Sequence, residues 1–366
     1  METINNSDIK PIFPIDGDVL HKNDGNMTAE GLNIVCSFKA PARCTIKVNG
    51  ETARENTDGT YLADVRINKY QNILRIENQT TNDWIELNVY FAENFAGKYR
   101  LSIDDNIRFL QDIALNAENY NSIFENPYLG KLKSIHETYG TKVHFNLFYE
   151  SEQGDFNLSQ MPDKFKAEWK AQRHWMRLSF HAYREFPDEP YLHADYETVR
   201  KDCELIQNEI KRFAGEELLG PVTTVHWGAV NVHGARAMRD CGYKGQLGYF
   251  NVDDSQYPVS YYLNEDERRH MKKRFIWKDE REGIIFIRSS IVVDATGKND
   301  MIPKLESYRE QRGNLPPYVD FLVHEQYYYP DYFNYQPDYF EKLEMLVEWV
   351  KDNGYEPAFL EECIFQ

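Results

Sequence analysis

Five cysteines in 366 residues, at positions 36, 44, 203, 241 and 363, are too few and too scattered for a disulfide framework or a close-spaced zinc ribbon. They read as separate structural thiols. No apolar run approaches the roughly 20 residues that cross a bilayer, and no basic start leads into an apolar targeting segment. The chain therefore reads as soluble, without a membrane span, and both a cytoplasmic and a processed extracytoplasmic location stay open. Positive charge is in deficit: 42 Lys and Arg against 59 Asp and Glu leave a formal net charge of −17, which makes nucleic acid a poor partner. Also missing are a Gly-x-Gly-x-x-Gly dinucleotide turn, a phosphate loop ending in Gly-Lys-Ser/Thr, and a His-Glu-x-x-His helix. The Ser and Cys residues assemble no evident nucleophile and base signature.

What is present falls into two regimes. A chain of 366 residues has length for a small domain beside a large one. Residues 10–95 hold short segments of partial polar/apolar alternation, at 31–38, 44–48, 60–67, 72–77 and 84–91, which predict strands burying one face. Gly50, Asn56, Asp58, Gly59, Asn68 and Asn82 lie in or near their breaks, where these residue types ease turn geometry. The compact reading is a small all-β sandwich over residues 1–96. Its stretch CTIKVNGETARENTDGTYLADVRINKYQNILRIE resembles bacterial immunoglobulin-like or carbohydrate-associated β-domains.

Near Lys98 the pattern changes to alternating strand-like and helix-like segments, which predicts an α/β domain over residues 97–366. YRLSIDD reads as a strand ending in two acids. Helix features over 127–140 precede the strand KVHFNLFY, and a helix over 162–173 precedes the strand MRLSFH. Val199, Cys203, Ile206, Ile210 and Phe213 recur at four- and three-residue steps and form an apolar stripe suited to covering a sheet. Strands are expected at 222–225, 284–287 and 319–323. A helical turn is expected over 235–241, as is a late helix carrying Phe340, Leu343, Val347 and Val350 that Gly354 terminates. Periodicity leaves a modified barrel and a doubly wound open sheet both open.

Three segments in this region carry polar chemistry at predicted strand ends: LSIDD, RLSFHAYREFPDEPYLHADYETVRKD and FLVHEQY. Taken alone, two adjacent acids cap a helix or sit in a loop as readily as they act in catalysis. Together, these segments resemble the polysaccharide deacetylase, or NodB-like, superfamily over approximately residues 97–366. The resemblance implies a modified (β/α) barrel. It also implies Asp104 as general base, Asp105, His181 and His193 as ligands of one divalent transition metal, with zinc the expected ion, and His324 as general acid. Two departures stand out. His181 and His193 are farther apart than the family spacing, and Val225, His226, Trp227 and Gly228 stand where the family carries Arg and Pro.

His226 in TTVHWGAVNVHGARAMRDCGYKG is open to three roles: a polar contact in the pocket wall, a metal ligand, or a structural residue. Trp227 either stacks on a sugar face or belongs to the core. Glu325 lies beside His324, but adjacent strand residues point to opposite faces, which disfavours a direct pair. The aromatic segment HEQYYYPDYFNYQPDYF suits a carbohydrate groove, a core cap or an oligomer surface, while Asp331 and Asp338 fit turns. The expected function is a metal-dependent hydrolase that removes an acyl group, N-acetyl first, from a carbohydrate. The rival readings are a glycoside-hydrolase-like enzyme, which needs two carboxylates across a glycosidic bond, and a noncatalytic glycan-binding surface protein. Sugar, acyl group and oligomeric state are not legible in the sequence.

Overall fold

The computed structural model describes residues 8–252 and 259–365, the side chain of Arg312 excepted. The chain forms two compact units. The first comprises Met1–Ala96, Ile276–Gly283 and Cys363–Gln366, and the second Gly97–Phe275 and Ile284–Glu362.

In the first unit, the expected alternation builds two five-stranded sheets. Gly31–Lys39 and Thr60–Ile67 pair antiparallel in one, while Asp83–Phe91 and Gln71–Asn78 pair antiparallel in the other. Leu32, Ile34, Cys36 and Phe38 point inward at every second position, as do Tyr61, Ala63, Val65 and Ile67. They join Leu74, Ile76, Leu87 and Val89 in one hydrophobic cluster, so both sheets bury their apolar faces in a single core. The segment 276–283 belongs here because its backbone and side chains bind this unit: Trp277 Nε1 donates to the Asp16 carbonyl at 2.8 Å and Lys278 N to the Gly17 carbonyl at 2.9 Å. Gly17 has a φ of 82°, and a Cβ there would collide with the Lys278 carbonyl. A division of the chain at one point therefore omits two short segments of this unit.

The second unit is mixed α/β. Its strands are β1 (Lys98–Asn106), β2 (Val143–Phe148), β3 (Met176–Ala182), β4 (Val222–Thr223), β5 (Gly245–Gly248), β6 (Ile284–Arg288), β7 (Ile291–Val292) and β8 (Tyr318–His324), with the two-residue strand Glu356–Pro357 pairing parallel with the start of β1. β1 is central in the order β3-β2-β1-β8-β7, and every pairing in that series is parallel. Strands buried on both faces lose the alternation seen in the first unit, and β2 is buried at every residue. The one guanidinium in β1, Arg100, is matched inside the sheet by Asp320 of β8, Nε to Oδ1 at 2.8 Å. β4, β5 and β6 form a second parallel series. β3 approaches β4 through Ser179 Oγ, which donates to the Val222 carbonyl at 2.8 Å.

Helices follow several of these strands, and most lie where the sequence signals place them, though not the one directly after β1. α1 (Arg108–Leu115) follows β1, and α2 (Pro127–Tyr139) starts at the Asn126 cap with Pro127 in its first turn. α2 ends at Gly140, whose φ of 74° suits a left-handed cap. α3 (Tyr196–Phe213) is capped by Asp195 and buries Val199, Cys203, Ile206, Ile210 and Phe213, the stripe that the spacing predicts. α4 (Val232–Asp240) and α5 (Tyr339–Asp352) follow β4 and β8. Because β1, β2, β3 and β8 run parallel, their carboxyl ends gather at one edge, the usual place for a site in such sheets.

Candidate functional site

The register of β1 and β8 places Asp104 directly beside His324. At the next residue the strand turns: Asp105 has a φ of 60°, in the left-handed region where Asp is among the better tolerated side chains. Asn106 locks that turn by donating from Nδ2 to the Ile103 carbonyl at 2.6 Å and to the Asn146 carbonyl of β2 at 2.9 Å. The result is two neighbouring carboxylates that are both buried, Asp104 at 2% and Asp105 at 4% exposure. They have different partners. Asp104 Oδ1 accepts from Asn146 Nδ2 at 2.7 Å. Asp105 Oδ1 lies 2.8 Å from His181 Nε2 and 3.1 Å from His226 Nδ1, and its Oδ2 accepts from Gln326 Nε2 at 2.6 Å.

Burial pushes the Asp104 carboxyl up to about 6, against the pull of His181 and His324. Burial acts on Asp105 in the same sense, but the charge of His226 and the hydrogen bonds from His181 and His226 outweigh it and hold that carboxyl well below the usual range. The adjacent acids are thus driven apart in proton affinity, one toward a base that titrates near neutrality and one toward a permanent anion.

His181 comes from the end of β3 and His226 from the turn after β4. Each is anchored by its outer nitrogen. His181 Nδ1 donates to the Thr224 carbonyl, and His226 Nε2 donates to the Glu185 carbonyl at 3.1 Å. The inner nitrogens, His181 Nε2 and His226 Nδ1, lie 3.1 Å from each other beside Asp105; each donates to that carboxylate while it carries a proton and offers a lone pair to a cation once it does not. One ligand atom from each of Asp105, His181 and His226 lies within 4.8 Å of the other two. Trp227, at φ 61°, makes the turn that sends His226 inward, and its ring packs on His226 with centroids 5.8 Å apart.

His193 is not part of this cluster. It is exposed, in the loop between β3 and α3. Tyr191 pins that loop: its hydroxyl accepts from Tyr183 N at 2.9 Å and donates to Asp202 of α3 at 3.0 Å, which leaves His193 on the outer side. The third corner of the triangle is His226. The expected ligand set of Asp105, His181 and His193 is therefore brought together for its first two members only.

His324 Nδ1 bonds Asp294 Oδ2 at 2.8 Å, and the imidazole retains 26% side-chain exposure. Burial disfavours its protonated form, but Asp294 outweighs this and raises the imidazole well above its ordinary range. Glu325, the first residue of the 3-10 turn after β8, is engaged elsewhere than at His324. Its carboxylate accepts from Ile107 N at 2.7 Å, Arg108 N at 3.0 Å and Phe109 N at 2.6 Å at the start of α1. Asp331 pairs with Arg108 Nη1 at 3.0 Å.

A cleft of about 370 Å³ opens over Asp105 and is lined among others by Arg108, Phe148, Glu185, Gln326 and Tyr332. Burial and the nearby Asp105 push the Glu185 carboxyl up to about 7. Three of these contributors are absent from the sequence-based set. Asp294 follows the short strand β7, Glu185 lies four residues past His181, and Gln326 is two past His324. An acid or amide at a strand end was the available signal in each case, and it is shared by many loop residues. Asn146 of β2, which makes the contact to Asp104, is also outside that set.

No family model matches the chain, and no curated protein matches it. Among solved structures it is similar to a CE4 esterase of Streptococcus mutans, with 13% identity over 72% of this chain and 86% of that chain and a TM-score of 0.38. A 4-alpha-glucanotransferase from Thermococcus litoralis shares 11% identity over 74% of this chain and 40% of that one, with a TM-score of 0.48. A provisionally assigned polysaccharide deacetylase from Mycobacterium smegmatis shares 11% identity over 73% of this chain and 94% of that one, with a TM-score of 0.39.

Proposed function

We propose that the second unit, Gly97–Phe275 with Ile284–Glu362, is a metal-dependent hydrolase that removes an acyl group, N-acetyl first, from a carbohydrate. In this reading the unit is the modified (β/α) barrel of the polysaccharide deacetylase type and residues 1–96 its accompanying β-sandwich. Asp105, His181 and His226 are the metal ligands, with His226 taking the position first expected of His193. The observation that carries the proposal is the buried triangle of one carboxylate and two outward-anchored imidazoles beside a second, separately held carboxylate.

The donor set fits the group. One carboxylate oxygen and two neutral imidazole nitrogens, oriented by backbone carbonyls and converging from three strand ends, suit zinc or a related divalent ion. Such an ion, when bound, supplies a Lewis acid that polarises an acyl carbonyl and lowers the pKa of water. Asp104 has the position and proton affinity to accept the proton of the attacking water, since a carboxyl near 6 is ionised at neutral pH yet more basic than an ordinary aspartate. His324, held protonated by Asp294, has the opposite task of donating a proton to the departing amine or alcohol. Phe148 and Tyr332 give the cleft apolar faces suited to a sugar ring, with polar groups at its edge.

The test is acetate release from a panel of N- and O-acetylated oligosaccharides by the full chain, with and without chelator and added zinc. Activity that depends on zinc and is abolished in Asp105→Ala and His181→Ala supports the assignment. Hydrolysis indifferent to chelation and to both substitutions overturns it, and glycosidic cleavage without deacylation favours the glycoside hydrolase rival.

A further inference from the structure

Gln326 belongs neither to the ligand triangle nor to the acid and base, yet it is tied to both sides of the cleft. It is 6% exposed. Its Nε2 donates to Asp105 Oδ2 at 2.6 Å and lies 3.5 Å from Glu185 Oε2, while its buried Oε1 has no hydrogen-bond partner among the described residues. The other oxygen of Asp105, Oδ1, faces both imidazoles. A carboxylate rotates freely about its last torsion and can offer a cation either one oxygen or two. An N–H fixed on Oδ2 removes that choice.

We infer that Gln326 is a positioning residue that holds Asp105 as a one-oxygen ligand, reserving Oδ1 for the cation. The inference rests on the metal reading of the cluster and adds a residue to it. An amide suits the task because it donates without charge. A carboxylate at this position would face Asp105 and Glu185, and an ammonium would neutralise the anion that the cation needs.

The experiment is calorimetric titration of the metal-free full chain with Zn2+ alone, comparing the unsubstituted protein with Gln326→Met and Gln326→Ala. The expected result is a zinc affinity weaker by about 10- to 100-fold, the usual effect of losing a group that orients a ligand. Thermal unfolding temperatures of the metal-free forms should fall modestly, because a buried carboxylate loses one donor, while the fold is kept, and turnover of an acetylated oligosaccharide should lose kcat with little change in KM. Using two substitutions keeps the test readable if one fails to fold. Zinc affinity within twofold of the unsubstituted chain overturns the role of Gln326 and leaves the ligand triangle standing. An unsubstituted chain that takes up no zinc overturns the metal reading, and this inference with it.

Discussion

Asp294 is the strongest of the carboxylates that favour the protonated form of His324, with Asp105 and Asp104 acting in the same sense. A raised imidazole pKa keeps the acid form filled until the pH passes that value, so removing the negative charge of Asp294 brings the loss of the acid form to lower pH. Asp294→Asn should accordingly move the alkaline limb of the kcat profile downward in pH, measured on an acetylated oligosaccharide. An unmoved limb would detach Asp294 from the acid. The two histidines that the sequence left in competition separate just as clearly. His226→Ala should cost more than roughly 100-fold in zinc affinity, because a ligand is lost outright, and His193→Ala should leave it within twofold. The reverse pattern would restore His193 to the site. The family match pointed to His193, whereas the histidine beside His181 is His226, 45 residues on in the turn after β4, and nothing in chain order marks the meeting of β3 with that turn.

Among the elements, α1 shows how the site is braced. Its N-terminus has no capping side chain of its own at Ile107; instead Glu325, from the far side of the β1–β8 pair, takes three of its backbone N–H groups. This ties the turn carrying Asp104 and Asp105 to the strand end carrying His324. Glu325→Ala strands those donors, each costing about 1–3 kcal/mol when buried, so the loss should be on the order of 3 kcal/mol in denaturant unfolding. A loss below about 1 kcal/mol would mean that water or a shifted loop replaces the carboxylate. Elements such as α3 were legible because a buried stripe and an Asp cap are local signals. The brace was not, since a Glu two hundred residues downstream of the helix it caps leaves no local trace. The same holds for the β3–β4 approach, where pairing is decided by the whole sheet.

Across the molecule, composition pointed in a direction that the site reinforces. A formal charge of −17 is continued inside the cleft by Asp105, Glu152 and Asp155, while Asp331 and Arg108, also lining it, pair with each other. A neutral acetylated oligosaccharide should therefore show a higher kcat/KM than a uronate-containing one of equal length, and added salt should narrow the gap by screening. Equal rates at low salt would contradict that charge selection. The change near Lys98 from strands alone to strands interleaved with helices was readable because helices and strands space their apolar residues differently. The return of segment 276–283 to the first unit was not, because it depends on a close backbone approach at Gly17. The most direct measurement is a crystal structure of the full chain grown with zinc, with anomalous scattering recorded at the zinc edge. The account predicts one strong peak at about 2 Å from Asp105 Oδ1, His181 Nε2 and His226 Nδ1 together. A peak at His193, or none near Asp105, would contradict it.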